Sequence, residues 1–248
     1  MDKETKAYLL LTLGGTGVLW LSLGALIRFG GFSLKSPLAV MYILGGVMPA
    51  LAAIWAKKQY TSREDFKVFL KNIVGIKQPA AWYGLALILA ALYCFLPYML
   101  GGAELRQPVY MFLLEIPVMI VGGGLEEIGW RGLLLPKLQK KYSVLLSALI
   151  VAGIWFVWHL PLWLIPGVNQ EKMNLLWFAI NILSLSLMLT AITNKTKSIF
   201  MAIFFHACIN AGWDVFLPNN AILPALAQLA LAAGVFVWGE YKERFFSK

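Results

Sequence analysis

The 248-residue chain is 60% hydrophobic and only 13% charged, with a mean hydropathy of +0.74. Soluble domains hold roughly 45–50% apolar residues, so this composition excludes a water-soluble globular domain and implies a polytopic membrane protein. The formal net charge of +9 then records topology and contact with anionic lipid rather than nucleic-acid binding.

Eight apolar segments approach the roughly 20 residues that a helix needs to cross the hydrocarbon. In chain order they cover residues 7–27, 38–56, 80–99, 109–135, 144–165, 175–192, 199–215 and 221–238. The first is longer than a signal-peptide core and lacks a small-residue cleavage site, so it is expected to be a retained span. Pro79 and Pro108 fall at helix starts, while Pro136, Pro166-Gly167 and Pro218 fall at ends or in loops. Cys94 and Cys208 lie in apolar segments without metal-ligand spacing and read as packing residues. No repeat or soluble linker interrupts the series. The expected fold class is all-α, a polytopic membrane helix bundle of about eight transmembrane helices, forming a single transmembrane domain over residues 1–248.

The loop between the second and third spans has a helix signature of its own. Ser62 and Asp65 form a capping pair, and Phe66, Phe69, Leu70 and Ile73 recur at helical spacing opposite Lys67 and Lys71. A short helix lying on the inner membrane surface is expected. With both termini cytoplasmic, that side holds Lys3, Lys6, Lys57, Lys58, Arg63, Lys67, Lys71, Lys77, Lys137, Lys140, Lys141, Lys195, Lys197, Lys242, Arg244 and Lys248, which are 16 of the 21 basic residues. Arg28, Lys35, Arg106 and Lys172 fall on the other side. This four-to-one bias sets the expected orientation by the positive-inside rule.

The fourth span holds Glu126, Glu127 and Arg131. Burying an ionisable side chain in hydrocarbon costs at least about 2.5–3.5 kcal/mol, so such residues face one another or a wet cavity and mark a functional site. Glu127 and Arg131 are four apart with the acid first, the favourable order for a pair on one helix face. Glu126 points about 100° away and is left for proton exchange with water. A packing network without chemistry is the plainer alternative. Gly122, Gly123, Gly124, Gly129 and Gly132 surround the cluster, where small residues serve close helix approach or open backbone groups to a cavity.

The two histidines lie in later spans. His206 and Asn210 share one face of the seventh and can address one small ligand together. In the fifth, Trp155-Phe156-Val157-Trp158-His159-Leu160-Pro161 sets His159 among aromatics, with Pro161 expected to kink the helix. Counting about 1.5 Å per residue from the cytoplasmic ends puts Glu126 and His206 roughly 14–17 Å deep and His159 about 24 Å deep. Tilt or a later start of the fifth span has to close that gap.

Taken together these residues resemble the CAAX prenyl protease and bacteriocin-processing family (CPBP, or Abi), a group of intramembrane glutamate- and metal-dependent proteases. That family carries Glu-Glu-x-x-x-Arg, an aromatic followed by His four residues later, and His-x-x-x-Asn, in that order on separate spans. Here they are Glu126 to Arg131, Trp155 to His159, and His206 to Asn210. The family's usual aromatic is Phe; Trp155 stands in its place, with a role read as packing. The resemblance covers residues 109–215, which it makes the catalytic core. It implies an intramembrane endopeptidase in which Glu126 with His159 orients and deprotonates the attacking water. His206 and Asn210 would stabilise the oxyanion or hold a divalent metal, and Glu127 and Arg131 would support the site. Two histidines and a carboxylate suit a catalytic zinc or a metal-free acid–base site. The expectation is a divalent metal, zinc, held by His159 and His206. The expected partners are a membrane-associated peptide or protein substrate and the lipid bilayer of a bacterial cell membrane, with no nucleic acid.

Two other classes stay open. A non-catalytic bacteriocin-immunity or membrane scaffold protein could bind a peptide or lipid in the same cavity. A transporter could use the acids as a proton relay, although no repeat symmetry is visible. Asp214 is the only aspartate near a span, and neither Gly-x-Ser-Gly nor His-Glu-x-x-His occurs, which removes the usual aspartate, serine and zinc-helix proteases.

Overall fold

The computed structural model describes residues 1–246, and side chains as far as residue 240; of the basic residues counted above, the side chains of Lys242, Arg244 and Lys248 lie outside that range. Long apolar runs in hydrocarbon must satisfy every backbone group internally, and the chain does so with helices. Asp2 caps α1 (Lys3–Gly30) by accepting the Thr5 N–H at 2.8 Å, and Gly31 ends it in the left-handed region at φ 72°. Then follow α2 (Ala39–Tyr60), α3 (Arg63–Ile73), α4 (Ala80–Met99) and α5 (Met111–Val121). After a break come a 3-10 turn (Gly124–Glu126), α6 (Glu127–Gly129), a π turn (Trp130–Leu134) and α7 (Leu135–Gln139). The series closes with α8 (Val144–His159), α9 (Leu175–Thr196), α10 (Ile199–Val215) and α11 (Ile222–Phe246).

Among the described residues six helices are long and apolar enough to span a membrane, and α5 and α10 are shorter apolar helices. The chain is an integral membrane protein with an all-α bundle. Two details differ from the sequence reading. The fourth span is broken at Gly122–Gly123 and continues to Gln139, so Pro136 starts a helical turn rather than ending a span. Residues 103–105 and 216–218 also form a two-stranded antiparallel ladder, β1 with β2, pairing Ala103 with Pro218 and Leu105 with Phe216.

Lipid tails give helices no hydrophobic reason to associate, so small residues and interhelical hydrogen bonds, each worth about 0.6–2 kcal/mol, hold the bundle. Thr16 is a hub: its hydroxyl donates to the Gly45 carbonyl at 2.9 Å and accepts from the Trp158 indole at 2.8 Å, tying α1 to α2 and α8. Tyr93 on α4 donates to Asn181 of α9 at 3.0 Å, while its carbonyl accepts from Gln228 of α11 at 2.9 Å. α9 and α10 are buried along most of their length and form the centre.

The bundle has two distinct ends. At one, Asp2 and Glu4 meet Lys137, Glu4 also meets Lys57 at 3.1 Å, and Lys57 lies over the Phe69 ring. The expected helix α3 is present there, capped by Ser62 accepting from the Asp65 N–H. Asn72 fastens its end to the α9–α10 turn, donating to the Lys197 carbonyl at 3.0 Å and accepting from the Ile199 N–H at 2.8 Å. The opposite end carries the β1–β2 ladder and the loop after α8, joined by Asn220, which donates to the Lys172 carbonyl and accepts from the Asn174 N–H.

Candidate active site

The break in the fourth span builds one wall of the site. Gly123 has φ 150°, a conformation that L side chains rarely adopt, and a Cβ there would collide with the Asn210 amide. The bend this permits lets the Gly122 carbonyl accept from Asn210 Nδ2 at 3.1 Å. Past the bend, a Cβ on Gly129 would lie 2.6 Å from the Pro49 carbonyl oxygen, so α6 presses directly against the backbone of α2. The π turn follows, and such turns recur at functional sites because the widened ring re-aims its side chains.

Glu127 and Arg131 are fully buried and paired at 3.0 Å between Oε2 and Nη1. The other carboxylate oxygen of Glu127 meets His206 Nδ1 at 2.7 Å. A carboxylate charge-paired with Arg131 can only accept from the imidazole, which fixes Nδ1 as the proton-bearing nitrogen and turns Nε2 away from Glu127. The guanidinium in turn lies 4.9 Å from the centre of the Trp155 ring. Glu127 thus ties the fourth and seventh spans together across 79 residues of sequence.

Glu126 is held differently. Its Oε2 accepts from the Trp155 indole N–H at 2.8 Å, which leaves Oε1 for another partner. His159, one turn on from Trp155, has Nδ1 2.8 Å from the Trp155 carbonyl oxygen. A carbonyl only accepts, so His159 carries its proton on Nδ1 and presents a basic Nε2. The Trp155 ring centre lies 5.3 Å from that of His206 and 5.7 Å from that of His159. One indole therefore borders both histidines, the glutamate and the arginine.

Glu126, His159, His206 and Asn210 all line one cavity of about 500 Å³. α8 ends at His159 and continues as a 3-10 turn through Leu160–Leu164, so the helix changes geometry at Pro161. α8 begins at Val144, so no later start of the fifth span closes the depth gap, and the Trp155 ring borders both imidazoles. Among the described residues no hydrogen bond joins Glu126 to His159; each meets Trp155 instead. The rest of the wall is mainly apolar and aromatic, with Trp20, Tyr42, Phe178 and Trp213 prominent. Sequence reasoning missed two links: the Glu127–His206 contact, and the hydrogen bond from Trp155. The second had a signal, since a buried Trp in a Phe position brings an N–H that needs an acceptor.

The donor chemistry of Glu126, His159 and His206 suits a divalent ion, and each imidazole has Nδ1 engaged as metal ligands do. Their placement does not. Among the described residues no three His, Cys, Asp or Glu side chains gather closely enough to hold a metal ion, so the zinc expected on His159 and His206 lacks a ligand set in this arrangement.

Glu126, His159 and His206 are buried and Asn210 is half-buried, and the four border one mainly apolar cavity in a helical membrane bundle. Residues 107–212 match the family described as type II CAAX prenyl endopeptidase Rce1-like. The whole chain is similar to CAAX prenyl protease 2 of Methanococcus maripaludis, at 25% identity over 98% of this chain and 96% of that protein. The resemblance drawn from the three motifs agrees with both matches, and residues 107–212 are similar to an Rce1-like domain.

Proposed function

We propose that the protein is an intramembrane endopeptidase that hydrolyses a peptide bond in a membrane-associated protein or peptide, with Glu126 as the group that activates water. The observation that carries this reading is the convergence of Glu126, His159, His206 and Asn210, from three separate segments, on one cavity. Similarity to a CAAX prenyl protease supports the same chemistry.

The residues divide the work. Water placed between Glu126 Oε1 and His159 Nε2 loses a proton to the carboxylate as its oxygen bonds to the scissile carbonyl carbon. The carbonyl oxygen becomes an oxyanion. Asn210 Nδ2 spends one N–H on the Gly122 carbonyl and has a second to donate to that oxygen. His206 assists through Nε2 when its ring is an imidazolium, a charge that Glu127 would balance. Collapse breaks the C–N bond, and the proton held by Glu126 passes to the leaving amine. Glu127 and Arg131 are positioning residues in this scheme, because they act through His206.

The relative's name includes a prenylated CAAX substrate; the class assigned to this chain is the wider one of membrane-associated peptides. The basic loops gather at the end that carries α3 and the N-terminus, which supports an orientation with both termini cytoplasmic.

Comparing the membrane peptides of cells carrying the intact and Glu126→Gln proteins tests the assignment. A cut terminus that disappears with the glutamate is expected. Identical peptide profiles, with any protective effect retained by Glu126→Gln, would instead identify a binding or immunity protein.

A further inference from the structure

Arg131 makes fewer contacts than its chemistry demands. The guanidinium is fully buried and only donates hydrogen bonds, and the pairing with Glu127 Oε2 reaches it at Nη1. Among the described residues Nε and Nη2 have no hydrogen-bond partner. The Trp155 ring, 4.9 Å from Cζ, covers one flat side without offering an acceptor.

The first span supplies oxygens nearby. Tyr8, Thr12 and Thr16 recur every fourth residue on the buried face of α1. Thr16 is satisfied by Gly45 and Trp158. The hydroxyls of Tyr8 and Thr12 are sealed from solvent, and among the described residues neither has a partner. A hydroxyl in that condition costs free energy unless something bonds it. The Tyr8 hydroxyl lies 2.5 Å from where a Cβ on Gly129 would stand, and Gly129 is two residues from both Glu127 and Arg131 in the chain. The Tyr8 ring meets that of Trp130 edge to face at 5.9 Å. Glu127, Arg131 and Glu126 all act electrostatically on Tyr8.

We infer that Tyr8 is a positioning residue of the site: its hydroxyl, with that of Thr12, holds the Arg131 guanidinium through one shared buried water, and the hold passes through Glu127 to His206. The water accepts from the guanidinium, which only donates, and itself donates to the two hydroxyls. Three polar partners are the usual complement of a buried water. Held from two sides, Arg131 stays on Glu127, whose other oxygen meets His206 Nδ1 at 2.7 Å. Tyr8 lies outside residues 107–212, which match the family, so the first span contributes to the site from beyond the matched region. The inference rests on the endopeptidase reading only for its effect on rate.

The chain holds two histidines, which makes NMR of the full-length protein with nitrogen-labelled histidine a direct readout. His159→Gln assigns the remaining imidazole to His206. Tyr8→Phe keeps the ring packed on Trp130 and removes only the hydroxyl, and Thr12→Val removes the other. In both variants the Nδ1–H resonance of His206 should shift while that of His159 stays in place. The Glu126-dependent cut should slow about fivefold, the effect of one ordinary hydrogen bond. Leu23→Ala, elsewhere on the buried face of α1, should lower the thermal midpoint and produce neither change. A His206 resonance that stays in place, equal shifts at both histidines, or an undiminished cut overturns the inference. Should Tyr8→Phe fail to fold, Thr12→Val decides by the same readouts. Absence of any Glu126-dependent cut in the intact protein overturns the endopeptidase reading instead, and the His206 resonance then decides this inference alone.

Discussion

The indole N–H of Trp155 donates to the Glu126 carboxylate at 2.8 Å. A packing aromatic one helix away therefore decides which carboxylate oxygen is free. The same residue supplies the carbonyl oxygen that fixes the His159 tautomer.

Trp155→Phe keeps most of the ring and removes the donor. Hydrogen bonds to charged groups contribute about 1.5–3 kcal/mol, and each 1.4 kcal/mol is a factor of ten in rate. The expected result is a fall of about tenfold or more in kcat with KM little changed and helicity by circular dichroism intact. An unchanged kcat would reduce Trp155 to packing.

Removing one partner of a buried ion pair leaves a stranded charge and costs about 3–5 kcal/mol. Glu127→Leu should therefore lower the thermal midpoint in detergent sharply, because Arg131 is fully buried. The double variant Glu127→Leu/Arg131→Met should recover most of that stability. It should not recover activity, since His206 Nδ1 still lacks its acceptor. Recovery of both together would show that the pair only packs.

The ligand geometry predicts that exhaustive chelation leaves Glu126-dependent proteolysis intact and that the purified protein carries no stoichiometric zinc by metal analysis. Activity lost to the chelator and restored by zinc would assign an ion to His159 and His206 and require them to move together.

At the basic end, burial pushes the Asp2 carboxyl upward, but hydrogen bonds from Thr5 and Lys137 outweigh it and hold the group well below the usual carboxylate range. A depressed carboxylate stabilises the fold above its unfolded pKa of about 3.9, and that contribution is lost as pH falls below it. Asp2 is half-exposed, so the effect is about 1 kcal/mol or less. Asp2→Asn should lower the thermal midpoint slightly at pH 7, and the gap to the intact protein should narrow progressively as the pH falls below about 4, closing only once the folded-state carboxyl is itself protonated. A gap that stays constant from pH 7 down to pH 2 would place the stabilisation elsewhere.

Much of the fold was legible because hydropathy and caps mark helix limits directly. The seventh span was expected at 199–215, and α10 occupies Ile199–Val215, with Ser198 accepting from the Met201 N–H at its start. The break at Gly122–Gly123 was not legible, because the flanking residues stay apolar and hydropathy carries no information on backbone dihedrals. The Glu127–Arg131 pair follows from spacing within one helix. Contact between Glu127 and His206 depends on how α6 and α10 pack, and no local pattern encodes that.

One side-chain amide, that of Asn72, grips both sides of the α9–α10 turn. The stretch that links the second and third crossings is thereby bolted to the first residue of the helix that bears His206. Changes of length or sequence in that stretch should be felt as a shift in the height of an imidazole about two turns away. Its tolerance to insertion should accordingly be poor for a surface connection.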